Sequence, residues 1–172
     1  MEIRALTPPD AAAFQALRLR ALRENPEAFG SAYADEVDRT LDDVAARLAA
    51  DPTVSVVLGA ALAPGGPLVG VVGCYRDGGR KRRHVGVVWG MFVTPEARGA
   101  GVGRALLTAL LAHVRAWPEL EQLTLTVVPE NAAARALYVR HGFRPAGLEP
   151  RALRDEARYY DLELFWRPLD AG

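Results

Sequence analysis

Residues 98–104 read Arg-Gly-Ala-Gly-Val-Gly-Arg, with Gly99, Gly101 and Gly103 at every second position between a β-rich run and an amphipathic one. The first four amides of a helix have no partner within it, and the macrodipole adds roughly half a positive charge at that end. Glycines keep such an end bare, so that an anion such as a phosphate can reach the amides. A simple flexible turn between strand and helix is the alternative. Two familiar phosphate loops are excluded by spelling. Arg104 stands where the dinucleotide fingerprint needs its third glycine, and the Gly-Lys pair of a Walker loop occurs nowhere. The pattern that remains is Arg98-x-x-Gly101-x-Gly103.

A second constellation lies in "PENAAARALYVRHGF". Asn131 is a natural helix cap, and Tyr138, seven residues on, falls two turns later on the same face. Ala132, Ala133, Ala134 and Ala136 keep that surface low, so an extended ligand can lie along it. A phenol with an ordinary pKa of about 10 can give its proton to a departing thiolate. A small helix with Tyr138 as a core aromatic is the plainer reading. Other chemistries find little support. Cys74 is the one cysteine, Ser31 and Ser55 are the only serines and neither sits in G-x-S-x-G, and His84, His113 and His141 are scattered. No metal spacing results.

These residues need a frame. At 172 residues the chain suits one domain, and half of it is hydrophobic without any run of the ~18 apolar residues a membrane span needs. The first residues lack a signal-peptide pattern, and a lone cysteine fits a reducing cytoplasm. Acidic and basic residues balance at 21 each, so no global field favours nucleic acid. The basic turn Arg80–Arg83, with Arg76, reads as a solvated face, with an anionic contact as the alternative. Alternating and helical patterns follow in the order β, α, α, β, β, β, α, β, α, β. Hairpins mixed with two strand-to-helix crossovers predict an α/β chain with a central mixed, mostly antiparallel sheet of about six to seven strands, flanked by about four helices.

Together, "GMFVTPEARGAGVGRALL" and "VVPENAAARALYVRHGF" resemble the GNAT superfamily of acyl-CoA-dependent N-acyltransferases, and the order of elements matches that fold along nearly the whole chain. The resemblance implies acetyl-CoA as co-substrate, no metal, and direct acetyl transfer to a primary amine within a ternary complex. It further implies that Met91, Phe92 and Val93 face the pantetheine arm, with the backbone of Phe92 and Val93 pairing to it. A strand amide near Met91 or Phe92 would hold the thioester oxygen. The amides from Arg98 through Gly99, Ala100, Gly101, Val102, Gly103 and Arg104 would hold the pyrophosphate, Asn131 would bond the pantetheine, and Tyr138 would sit beside the sulfur.

The acceptor side is less legible. Relatives acting on histone-type lysines carry a glutamate in mid-strand, whereas "HVGVVWGMFV" has no carboxylate. His84 precedes Met91 by seven residues, over 20 Å at ~3.3 Å per residue, too far to take a proton directly. The segment from Asn25 to Arg39 is longer than the ~2–8 residues usual between helices and holds Phe29, Tyr33, Asp35, Glu36 and Asp38. Glu36 is the expected base, for its reach, with a water wire to solvent, an acceptor needing no base, or a merely solvated acidic loop as the alternatives, and Tyr33 an acceptor contact. Alternation puts Trp89 on the face of Met91, as pocket wall or core. Tyr159 and Tyr160 belong to pocket or sheet. The expected acceptor is a small-molecule or amino-acid amine, with a peptide acceptor or a non-catalytic acyl-CoA-binding module as alternatives, in a monomer or homodimer.

Overall fold

In the computed structural model, which describes residues 1–169, seven strands form one sheet in the order β1-β2-β3-β4-β5-β7-β6. They are β1 (Glu2–Ala5), β2 (Ser55–Ala61), β3 (Leu68–Arg76), β4 (Val85–Val93), β5 (Gln122–Val127), β6 (Arg144–Asp155) and β7 (Arg158–Pro168). Five α-helices accompany them: α1 (Ala11–Glu24), α2 (Tyr33–Val37), α3 (Leu41–Leu48), α4 (Val102–Val114) and α5 (Ala132–Arg140). Every neighbouring strand pair is antiparallel except β4–β5. That is the mixed, mostly antiparallel sheet expected from the sequence.

The two faces of the sheet are buried differently. On one, the stripe Val102, Leu106, Leu110 and Val114 of α4 packs on Val72, Cys74 and Leu123, and α5 adds Tyr138. On the other, Phe14, Leu17 and Ala21 of α1 and Val44 of α3 cover Val57, Val71 and Phe92. Each large aliphatic or aromatic side chain so covered contributes ~1.5–3 kcal/mol of transfer free energy. Thr40 opens α3 as expected, its hydroxyl accepting from the Asp43 amide at 3.2 Å. Gly142, at φ 82°, ends α5 in the left-handed region, and the Phe143 amide closes back on Tyr138 O at 3.1 Å.

Two elements escape the pattern reading. β6 is exposed along most of its length and contains Pro145, Gly147 and Pro150, so it shows no alternation. It is a strand because β7 pairs with it, at the edge of the sheet. Within the segment from Asn25 to Arg39, a five-residue helix, α2, is held by tertiary contacts, since so short a helix is not stable alone.

Candidate functional site

Strand β4 pairs in parallel with β5 only at Val85, Gly86 and Val87, opposite Gln122, Leu123 and Thr124. Beyond that point β4 runs on to Val93 and β5 to Val127 without pairing, so the sheet splits into a cleft. Two adjoining cavities fill it. The inner one, about 70 Å³, is bounded by Val88, Met91, Leu125, Tyr138 and Phe29. The outer one, about 420 Å³, runs past Val93, Arg98, Ala133 and Leu137. Asn131, which caps α5, and Ala134 of α5 border both.

The free edge of β4 has a definite polarity. The Thr94 amide donates to Val69 O at 2.9 Å, on the β3 side. Planar peptides alternate, so Phe92 falls in the next hydrogen-bonded pair with Val71, and the Met91 carbonyl and both polar groups of Val93 turn to the cleft. The sequence pointed to Phe92 and Val93, whereas the strand presents the Met91 carbonyl and the Val93 polar groups to the cleft. Phe92 is engaged by β3, and its ring is buried beside Phe14.

Trp89 also departs from expectation. Gly90 has φ 66°, and the β3–β4 register slips between the Gly73–Trp89 and Val71–Phe92 pairs. This bulge shifts the alternation by one residue. Met91 packs toward α4 while Trp89 packs toward α1, so the two lie on opposite faces. Trp89 borders the inner cavity and lies flat on β3, where a Cβ on Gly73 would come within 2.3 Å of its ring.

At the outer end of the cleft, Ala105 is the first residue of α4 whose amide bonds back, to Gly101 O at 3.0 Å. Among the described residues, the amides of Gly99, Gly101, Val102, Gly103 and Arg104 have no backbone acceptor. Those of Arg98 and Ala100 are committed, to Pro95 O at 3.2 Å and Ala97 O at 3.4 Å, which narrows the expected set. The Arg98 guanidinium bonds Val93 O at 3.2 Å and Asn25 Oδ1 at 3.2 Å, tying the end of β4 to the end of α1. Gly99 and Gly101 sit at φ 80° and 81°, a region costing other residues ~1–2 kcal/mol. We expect Gly101→Ala to lower stability by about that amount in a denaturant titration. An unchanged midpoint would mean the turn relaxes to another conformation.

Asn131 caps α5, its Oδ1 accepting from the Ala134 amide at 3.0 Å. Tyr138 is 6 % exposed, packed edge-on against Phe143 at 5.9 Å between ring centroids. Burial pushes its phenol well above the usual tyrosine range, so it stays protonated and keeps an O–H to donate. Cys74 is fully buried on β3 with its thiol pushed up to about 12 by burial, so it is no nucleophile at neutral pH. His141 caps α5, with Nδ1 2.8 Å from Leu137 O. In the basic turn, Arg82 pairs with Asp77 at 2.6 Å.

A third cavity, about 540 Å³, lies between the α1–α2 segment and the β6–β7 hairpin, bordered by Glu27, Tyr33, Asp35, Asp155 and Tyr160. Tyr33 faces it, and its hydroxyl accepts a hydrogen bond from Arg23 Nη2. Tyr160 joins it, while Tyr159 is exposed beneath the Arg151 guanidinium. Glu36 does not border any of the three cavities. Its carboxylate is 4 % exposed and surrounded by Arg39 at 2.9 Å, Arg47 at 3.8 Å and Arg18 at 4.0 Å. A carboxylate so held is a structural anchor joining α1, α2 and α3, and it has no path to an acceptor amine. Helical phase turned it inward, which loop-like composition could not reveal. Glu36→Gln leaves the buried Arg18 without a counter-charge and should cost about 2 kcal/mol. Melting should then fall by roughly 4–8 °C. A variant melting with the wild type would show that the arginines repair themselves on solvent.

The chain matches the acetyltransferase (GNAT) family model over residues 15–143 and belongs to that family. It is 34 % identical over 82 residues to an N-acetyltransferase of Streptomyces griseus, a match covering 48 % of this chain and 42 % of that one. The chain thus spans less than half of that curated relative. Among solved structures, a GNAT-family acetyltransferase from Streptococcus pneumoniae superposes with a TM-score of 0.86 at 28 % identity, covering 98 % of this chain and 99 % of that one. A phosphinothricin acetyltransferase from Sinorhizobium meliloti, solved in complex with acetyl-CoA, shares the fold with a TM-score of 0.77 at 21 % identity, covering 98 % and 88 %. No helix among the described residues is long and apolar enough to cross a membrane.

Proposed function

We propose that the chain is an N-acetyltransferase that moves an acetyl group from acetyl-CoA directly to a primary amine, both bound at once. The observation that carries this reading is the split between β4 and β5, with bare α4 amides at one end and Tyr138 at the other. A diphosphate suits the amides of Gly101–Arg104, and the pantetheine amides suit Met91 O and the Val93 edge, with Arg98 yielding Val93 O as the arm enters. Asn131 offers its side-chain NH₂ to the same arm, since its oxygen is engaged by the cap. The acetyl group then reaches the inner cavity.

There the amine nitrogen forms a bond to the thioester carbon, whose oxygen takes the negative charge beside the β4 backbone at Met91. Collapse breaks the carbon–sulfur bond, and Tyr138 donates to the departing sulfur. Its raised pKa makes full proton transfer uphill, so its contribution is mainly a hydrogen bond to the developing thiolate. With Glu36 engaged elsewhere, the amine proton leaves through water in the outer cavity, past Glu27 and Glu130. These carboxylates also favour an approaching ammonium.

The acceptor we favour is a small-molecule or amino-acid amine over a peptide terminus or protein lysine, in keeping with a phosphinothricin acetyltransferase among the structural neighbours. The test is CoA release from acetyl-CoA across a panel of small amines, amino acids and short peptides. Saturable release with one amine class supports transfer. Tight acetyl-CoA binding with no release for any acceptor would make the chain a binding module.

A further inference from the structure

Among the described residues, Phe29 is the one side chain that borders all three cavities: the inner and outer parts of the cleft, and the space between the α1–α2 segment and β6–β7. It follows a short 3-10 turn at Pro26–Ala28 with extended backbone (φ −130°, ψ 141°). Its ring is no loose surface group. The Arg18 guanidinium lies 5.0 Å from the ring centroid and 5.9 Å from that of Trp89. Arg18 itself is 5 % exposed and faces Glu36 at 4.0 Å, in the cluster that joins three helices. Such a contact with a buried guanidinium holds the half-buried ring in place. The inner cavity behind it measures about 70 Å³. A dry cavity of ~150 Å³ holds benzene, so about half that volume suits a two- or three-carbon acyl group.

We propose that Phe29, clamped by Arg18, sets the length of the acyl group this chain accepts, by closing the inner cavity off from the larger third cavity. This rests on the cleft being the acyl-CoA site. Removing the ring joins the 70 Å³ space to the 540 Å³ one, and a longer chain then has room. One methylene too many in a closed pocket typically costs ~10-fold or more in discrimination.

Binding of acetyl-, propionyl-, butyryl- and hexanoyl-CoA is measured by calorimetry, so no acceptor is required. Wild type should bind butyryl-CoA roughly 10-fold more weakly than acetyl-CoA. Phe29→Ala should bring the two within about twofold, and Phe29→Leu, which keeps the fold with a smaller wall, should fall between them. The readout is the butyryl-to-acetyl affinity ratio within each protein, so a loss of affinity common to both cofactors leaves it unchanged. Equal affinity of the wild type for acetyl- and butyryl-CoA overturns the proposal without any variant. A gap that persists in a folded variant overturns it as well. Failure of the wild type to bind any acyl-CoA would instead sink the cofactor reading on which this one stands.

Discussion

Gly103→Glu should abolish acetyl-CoA binding in a protein that remains folded. The second half of that expectation is as specific as the first. A Cβ at residue 103 would meet Leu137 Cδ2 at 3.4 Å and Val93 Cγ2 at 3.8 Å, ordinary contacts that need no rearrangement. The position lies in the first turn of α4, where a carboxylate interacts favourably with the macrodipole. The same carboxylate would project between Val93 and Leu137, two borders of the outer cavity. It would compete for the free amides and repel an incoming diphosphate. Calorimetry should register at least about a 100-fold loss, or ~2.7 kcal/mol. Gly103→Ala, which adds bulk without charge and improves helix propensity, should lose far less. Unaltered affinity in folded Gly103→Glu would remove the phosphate from the α4 N-terminus and sink the loop assignment.

Tyr138→Phe should lower kcat by on the order of 100-fold, while the affinity for acetyl-CoA stays within about twofold. The ring sits among Phe143 and Phe165, and phenylalanine preserves those contacts. Only the donor to the sulfur is lost, and that donor acts as thiolate character develops. The alkaline side of the pH profile follows from the direction of the shift. Burial disfavours the phenolate, so the donor form persists through and beyond the ordinary tyrosine range, and Tyr138 places no alkaline limit on kcat near pH 10. Single-turnover measurements separate chemistry from product release. An equal single-turnover rate in the two proteins would return Tyr138 to a packing role.

How much of this was legible in the residues varies with the range of the forces involved. The free α4 N-terminus, the Asn131 cap and the placing of Tyr138 two turns later are local matters. Glycine spacing, a capping side chain and a 3.6-residue period decide them within one or two turns, so spelling alone carried them. The mixed sheet was equally readable, because hairpin turns and strand-to-helix crossovers leave distinct marks in the chain. β6 was not readable, since an exposed strand with two prolines gains its conformation only from the hydrogen bonds of β7.

The largest differences arose where a side chain's direction depended on contacts distant in sequence. The bulge at Gly90 turned Trp89 away from Met91, and no alternation count foresees a shifted register between two strands. Glu36, the natural base by composition, was drawn among three arginines, from α1, from α3 and from the turn between α2 and α3. The cleft itself belongs to neither strand that lines it. The sequence by itself determined a bare helix N-terminus after β4 and a tyrosine two turns beyond the Asn131 cap. Only the tertiary structure decided that β4 and β5 part after three pairs, and that Phe29 stands where the resulting cavities meet, because splaying and enclosure are properties of packed layers and not of any one segment.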